Sequence, residues 1–305
     1  MKALVLGGNG FIGSHVVDHL LAAGHSVRVF DRGMERFRLP LDQVDYRLFS
    51  FDDVPALAEA LEDIDVVYHL ISTTVPSTSN KDPIYDIESN LIGTVRLLNL
   101  MRDSNVSRII YLSSGGTVYG VPDSSPILES HPLRPICSYG VVKVAIENYL
   151  QMYHHLYGLE YAVLRVSNPY GERQGHTGVQ GVIGTFMGKI LAHKEIEIWG
   201  DGSIVRDFIY IVDLAHLCVK VGCSRSIGIF NAGSGEGNSI QEIVATLSTV
   251  TKKNIYPQYR MGRSYDVPEV VLSIAKVKKQ FEWSPNEILV EGMVKTWCWV
   301  KAQVK

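Results

Sequence analysis

The glycines near the N-terminus restrict what this chain can become more than any other feature. Gly7-Gly8-Asn9-Gly10-Phe11-Ile12-Gly13 follows the apolar run Ala3 to Leu6 and leads into Phe11 to Ala23, whose apolar spacing is helical. A strand, a glycine turn and a helix in that order let the backbone approach a pyrophosphate, whose charge then rests on the helix N-terminus. A glycine pattern alone is a weak signal, and the flanking strand and helix give it meaning. Gly7, Gly10 and Gly13 stand one residue wider than the commonest dinucleotide fingerprint.

The alternation continues down the first half of the chain. Val27–Phe30, Tyr46–Phe49, Asp65–Leu70, Arg108–Leu112 and Tyr161–Val166 read as strands. Pro55–Leu61, Ile84–Met101 and Cys137–Tyr157, the last closed by Gly158, read as helices between them. Such βαβ units predict an α/β fold: a Rossmann-type, doubly wound parallel sheet with helices on both faces. Past residue 167 the pattern breaks up. The glycine-rich stretch from Gly171 to Gly188 reads as loops and short elements, with later features at Glu195–Trp199, Val205–Val212 and Ile227–Asn231. The expected division is a dinucleotide domain over 1–167 and a smaller C-terminal substrate-binding lobe over 168–305, some of whose segments return to the core.

Two further features add chemistry. Asp31 ends the second strand, where a carboxylate accepts both ribose hydroxyls and repels a 2′-phosphate, so NAD is expected rather than NADP. Arg32 beside it is the residue that could attract such a phosphate. Tyr139 and Lys143, at i and i+4, share one helix face. The ordinary phenol, with a pKa near 10, is a poor base. A neighbouring ammonium, together with the positive nicotinamide of NAD, is expected to favour the phenolate. That group would take a proton from a sugar hydroxyl while the adjacent carbon gives up hydride.

Composition narrows the classes. With a formal net charge of −3, 20% charged residues and no dense basic run, the chain has no electrostatic footprint for nucleic acid. No apolar stretch approaches the roughly 20 residues that span a bilayer. No signal peptide is expected, and Cys137, Cys218, Cys223 and Cys298 lack C-x-x-C spacing, so they read as reduced thiols rather than zinc ligands. No metal is expected, and the compartment reads as cytoplasm.

With these residues in view, the chain resembles an extended short-chain dehydrogenase/reductase, and within it the UDP-hexose 4-epimerase branch. The resemblance covers nearly the whole length. Its motifs are G-G-N-G-F-I-G-S-H, S-S-G-G-T-V-Y-G at Ser113–Gly120, S-Y-G-V-V-K at Ser138–Lys143, R-V-S-N-P-Y-G at Arg165–Gly171 and V-R-D-F-I-Y-I-V-D-L-A at Val205–Ala215. It implies cofactor contacts from Gly7, Gly10, Phe11, Ile12, Gly13, Asp31, Arg32, Asp52 near the adenine, Leu70, Ser72, Asn90 near the phosphates, Tyr139, Lys143, and Ser167 near the nicotinamide amide. It implies substrate contacts from Thr117, Asn168, Val182, Trp199 against the base, Arg206, Arg263, and Val270 beside the sugar. Two guanidiniums suit a diphosphate. A homodimer through the helices Ile84–Met101 and Cys137–Tyr157, and a place in cell-surface polysaccharide synthesis, are also implied.

The departures are informative. The family usually has Ser or Thr where this chain has Gly115, and the missing hydroxyl would come from Thr117, Ser114 or water. The fourth strand, which in the family often closes on Ala-Ala-Gly or Phe-Ala-Gly, here closes on Leu70-Ile71-Ser72. The function implied is NAD-dependent 4-epimerisation of a nucleotide-diphosphate hexose through a 4-keto sugar. A 4,6-dehydratase is set aside because Gly116-Thr117 stands where that branch has Asp-Glu. The alternatives carried forward are an NAD(P)H-dependent 4-ketoreductase of a dTDP- or UDP-4-keto-6-deoxyhexose, and a catalytically silent cofactor-binding sensor.

Overall fold

The computed structural model describes residues 1–175, 181–262 and 267–303. In chain order the elements begin with β1 (Lys2–Leu6), α1 (Phe11–Ala22), β2 (Ser26–Asp31), β3 (Val44–Leu48), α2 (Val54–Ala60) and β4 (Val66–His69). Two single-turn helices, α3 (Pro76–Ser79) and α4 (Pro83–Asp86), lead through a π-helical stretch at Ile87–Ile92 into α5 (Gly93–Arg102). Then come β5 (Arg108–Ser114), α6 (Ser138–Tyr157), β6 (Glu160–Val166), β7 (Asn168–Tyr170), α7 (Val182–Leu191), β8 (Glu197–Trp199) and β9 (Val205–Tyr210). The remainder is α8 (Ile211–Cys223), β10 (Gly228–Ala232), β11 (Gly237–Ser239), α9 (Ile240–Thr251), β12 (Gln258–Arg260), β13 (Glu269–Val270), α10 (Ala275–Phe281) and α11 (Leu289–Gln303).

The chain divides into two compact units. The first gathers Met1–Val118, Leu133–Arg165 and Ala215–Phe230; the second gathers Tyr119–Pro132, Val166–Leu214 and Asn231–Lys305. A seven-stranded sheet runs in the order β10-β6-β5-β4-β1-β2-β3. β1 pairs in parallel with both β2 and β4, and strand order reverses there, the position at which open α/β sheets bind ligands beyond their carboxyl ends. Six of the seven residues of β5 are buried, as expected for a strand covered on both faces. Val142, Ile146, Leu150 and Tyr153 put the apolar stripe of α6 into the same core as Leu97, Leu98 and Met101 of α5.

In the second unit β11 and β13 flank β9, β7 also pairs with β9, and β12 pairs with β8. Two expectations are corrected here. Part of the stretch from Gly171 to Gly188 is the regular helix α7, because Ile183, Phe186, Met187 and Ile190 recur at helical spacing and are all buried. The run Val205–Val212 is a strand only as far as Tyr210, and α8 starts at the next residue. Among the described residues no helix is long and apolar enough to cross a membrane.

Candidate active site

β1 delivers the chain into Gly7, whose φ of +82° lies in the left-handed region that glycine adopts without strain. Gly10 caps α1 with no side chain, leaving the first-turn N–H groups to an anion. A side chain at position 13 is impossible without rearrangement, since its Cβ would stand 2.1 Å from the Gly7 carbonyl oxygen. At the end of β2, the Asp31 carboxylate accepts from the backbone N–H of Asn9 at 3.0 Å and of Gly33 at 3.4 Å, which fixes it beside the turn.

Around these groups lies a cavity of about 690 Å³, walled by Gly7, Gly10, Asp31, Arg32 and Asp52 and also by Leu70 and Ser72. Phe11 and Ile12 open α1 but are not among its walls. Nor is Asn90. Its side chain is buried, accepting from Thr73 N–H at 2.9 Å and donating to the Asp86 carboxylate at 3.0 Å, so it braces the segment after β4 instead of facing the phosphates. Sequence reasoning missed Tyr85, Glu88, Ser89 and Arg96 on the wall, which a π-helical register at 87–92 helps present. A glycine cradle, an open helix N-terminus and a pinned carboxylate together fit a dinucleotide.

Tyr139 sits in the first turn of α6, and that turn is held from outside. Its preceding residue Cys137 provides no side-chain cap. Instead Asn80 Oδ1 accepts from the Ser138 N–H at 2.8 Å, and Asp86 accepts from the Ser138 hydroxyl at 2.7 Å. Gly140 lets this turn press on the loop after β5, where a Cβ would meet the Thr117 carbonyl oxygen at 2.8 Å. One turn further, the Lys143 ammonium donates to the Leu112 carbonyl at 2.9 Å and lies 4.7 Å from the Tyr111 ring centre and 5.4 Å from that of Tyr139.

In the protein alone, burial dominates the electrostatics of this pair. Burial pushes the Tyr139 phenol up to about 12; a hydrogen bond with Ser72 pulls it down, while Cys137 and Asp86 push it up further. Lys143 stands over the ring face, and in the protein alone it does not bring the phenol toward neutrality. Burial also lowers Lys143, to about 8, against the opposing charges of Glu147 and Asp86. Glu147, a further turn along α6, is itself buried, accepting from Ser113 at 2.5 Å and pairing with the buried Arg165 at 2.7 Å. Ser114 is half-buried at the end of β5. The Thr117 hydroxyl is buried and has no hydrogen-bond partner among the described residues.

The second unit has its own cavity of about 500 Å³. Asn168, Val182, Trp199 and Arg206 all lie on its wall, with Phe186 and Lys189 of α7. Asn168 Nδ2 donates to the Asp207 carbonyl at 2.9 Å, and Arg206 donates to the Val205 carbonyl at 2.8 Å. Val270 is not on that wall; it pairs with Arg206 across β13 and β9 and is 2% exposed. Ser167 is buried and its hydroxyl has no hydrogen-bond partner among the described residues. Arg263 lies outside the described residues.

A doubly wound sheet with a glycine cradle, an acidic residue ending β2 and a Tyr-x-x-x-Lys pair on α6 defines a dinucleotide-dependent enzyme of the short-chain dehydrogenase/reductase kind. Residues 3–233 match the model of the NAD dependent epimerase/dehydratase family. A putative UDP-glucose 4-epimerase of Methanocaldococcus jannaschii is 35% identical and is matched over 98% of each chain. The crystal structure of a UDP-glucose 4-epimerase with UDP-glucose, from Thermotoga maritima, is 32% identical, covers 100% of both chains and has a TM-score of 0.94. A UDP-glucose 4-epimerase of Thermus thermophilus in complex with NAD is also 32% identical over 100% of both chains, with a TM-score of 0.92. A dTDP-4-dehydro-6-deoxyglucose reductase of Escherichia coli is 31% identical over 96% of this chain and 95% of its own. The chain belongs to the NAD-dependent epimerase/dehydratase family.

Proposed function

We propose that this protein interconverts the two C4 configurations of a UDP-linked hexose, glucose and galactose or their N-acetylamino forms, through a 4-keto sugar. The observation that carries the reading is the Tyr139–Lys143 pair on α6, with the ammonium 5.4 Å from the centre of the phenol ring. NAD, when bound there, supplies the acceptor for the hydride from sugar C4 and the donor that returns it. Gly7, Gly10 and the open N-terminus of α1 hold its pyrophosphate, and Asp31 holds its ribose. Tyr139 removes the proton from the sugar O4 hydroxyl and gives it back after the ketone has turned over. Lys143 keeps a positive charge beside the phenol ring, which favours the ionised form during transfer.

Asn168 and Arg206, with Arg263, hold the diphosphate, and Trp199 packs on the base. Binding energy from that half of the substrate anchors it while the sugar turns. Thr117, with an unpartnered buried hydroxyl, faces the sugar. The protein forms a homodimer through α5 and α6 and the segment before α5, whose exposed Ile84, Ile87, Val141, Met152 and Leu156 form the apolar contact. The reduced state of the four cysteines suits a cytoplasmic home.

A 4-ketoreductase is the second reading, favoured by the reductase relative and by Arg32 beside Asp31. The two separate cleanly. An epimerase, purified and supplied with UDP-glucose or UDP-galactose, carries NAD in its absorbance and turns over with no added cofactor. Stoichiometric consumption of NAD(P)H on a dTDP-4-keto sugar, without epimerisation, would reverse the assignment. A silent sensor would keep its cellular role after Tyr139→Phe; the epimerase loses it.

A further inference from the structure

Two departures from the family pattern lie at the ends of neighbouring strands. β4 and β5 pair in parallel with His69 opposite Tyr111; Ser72 follows three residues after the end of β4, and Gly115 follows Ser114, the last residue of β5. The chain has lost a hydroxyl at Gly115 and has one at Ser72, where the family often places glycine. Ser72 lines the dinucleotide cavity, its hydroxyl donates to the Thr74 carbonyl at 3.1 Å, and it is close enough to the Tyr139 phenol to favour the phenolate.

The segment carrying Ser72 is not free to drift. Asn90 Oδ1 accepts from Thr73 N–H at 2.9 Å, and the buried Asp86 accepts from the Thr74 hydroxyl at 2.6 Å. The other oxygen of Asp86 accepts from Ser138 at 2.7 Å, the residue before Tyr139. One carboxylate therefore ties the support of Ser72 to the turn that carries the phenol. Of the other hydroxyls nearby, that of Thr117 has no hydrogen-bond partner among the described residues.

We propose that Ser72 is the hydroxyl partner of Tyr139 in proton transfer, doing from the end of β4 what the residue at the Gly115 position does in the family from the end of β5. The inference rests on the epimerase reading. When the Tyr139 phenolate takes the proton of the sugar O4 hydroxyl, the new O–H bond forms on Tyr139 and the old one breaks on the sugar. Ser72 keeps its own proton throughout. It donates to the phenolate before transfer and to the Thr74 carbonyl, the bond seen here, once Tyr139 is protonated.

The charged and titratable groups around Tyr139 are Lys143 and Glu147 on α6, Cys137 before it, Asp86 on α4 and Tyr111 on β5. Ser72→Ala alters none of them. In the full-length protein with UDP-glucose and UDP-N-acetylglucosamine, Ser72→Ala should lower kcat on the order of a hundredfold, as loss of one donor to a developing oxyanion does. KM should stay within about twofold, the acidic limb of the kcat–pH profile should move to higher pH, and Ser72→Thr should restore both. Tyrosinate absorbance, taken as a difference against Tyr139→Phe, should show Tyr139 ionising at higher pH in Ser72→Ala. That titration needs no substrate, so unmodified protein that fails to turn over rejects the epimerase reading while the titration still judges Ser72. Unchanged kcat, acidic limb and titration in Ser72→Ala would overturn the proposal, as would the same losses appearing only in Thr117→Val or Ser114→Ala.

Discussion

Lys143 should hold the folded protein back. Burial takes its ammonium from 10.5 to about 8, so below pH 8 the fold carries a desolvated charge that the unfolded chain keeps in water. Each pKa unit corresponds to about 1.4 kcal/mol, which puts the penalty near 3 kcal/mol at pH 7. Between pH 8 and 10.5 the folded state has released its proton while the unfolded state still binds one. Stability therefore rises with pH through that window, and by pH 10 the penalty is below about 1 kcal/mol. Lys143→Met removes the titrating group and leaves a chain of similar bulk. Urea unfolding of both proteins at pH 7 and pH 10, without added dinucleotide, should show the variant gaining about 2 kcal/mol more over the parent at the lower pH. Comparing the two pH values cancels the lost bond to Leu112 and any repacking, since both are independent of pH. A difference of the same size at both pH values would refute the reasoning, and a larger gain at pH 10 would reverse its sign.

Gly13→Ala should abolish dinucleotide binding, because its Cβ would overlap the Gly7 carbonyl oxygen and the turn must open; isothermal titration with NAD reads this, and Gly24→Ala, strained by its φ of +76° but with nothing within 4 Å, should lose some stability yet bind NAD. Glu147→Gln leaves Arg165 buried without its counter-charge and should destabilise by roughly 3–5 kcal/mol in urea, whereas the double variant with Arg165→Met should recover most of that. His69 is buried neutral against Thr94, with burial holding it at about 3, so stability present above pH 6.5 should be lost as pH falls. Urea midpoints at pH 5 and pH 7 should show about 2 kcal/mol of that loss, and His69→Gln should remove it.

Most elements of the first unit were legible because β1, β4, β5 and β6 are short, largely apolar, buried runs and α6 carries a full apolar stripe, so local pattern and tertiary burial agree. Gly7, Asp31 and the Tyr139–Lys143 pair were legible for another reason: their roles follow from backbone reach and helix spacing, both of which are local. What stayed hidden depends on contacts distant in sequence. The spacing of Ile84–Met101 predicts one helix, yet an extra residue per turn at 87–92 turns Asn90 inward, and only its partners Thr73 and Asp86 reveal why. Glycines masked α7, whose burial was invisible without the surface it covers. The Tyr139 phenolate is expected to be favoured by Lys143 and the nicotinamide together, whereas in the protein alone desolvation, a property of the folded surroundings, raises the phenol. The pairings of β11 and β13 with β9 join residues that are far apart along the chain.

The way the chain alternates between its two units bears on how such a protein can change. It passes from one to the other after residues 118, 132, 165, 214 and 230. No single cut releases either half intact: a truncation after Arg165 removes Ala215–Phe230, and with it most of α8 and the start of the outermost strand of the large sheet. Neither half can be swapped for a foreign module by a simple fusion, so new sugar preferences must arise by substitutions and loop insertions within a polypeptide that is inherited whole.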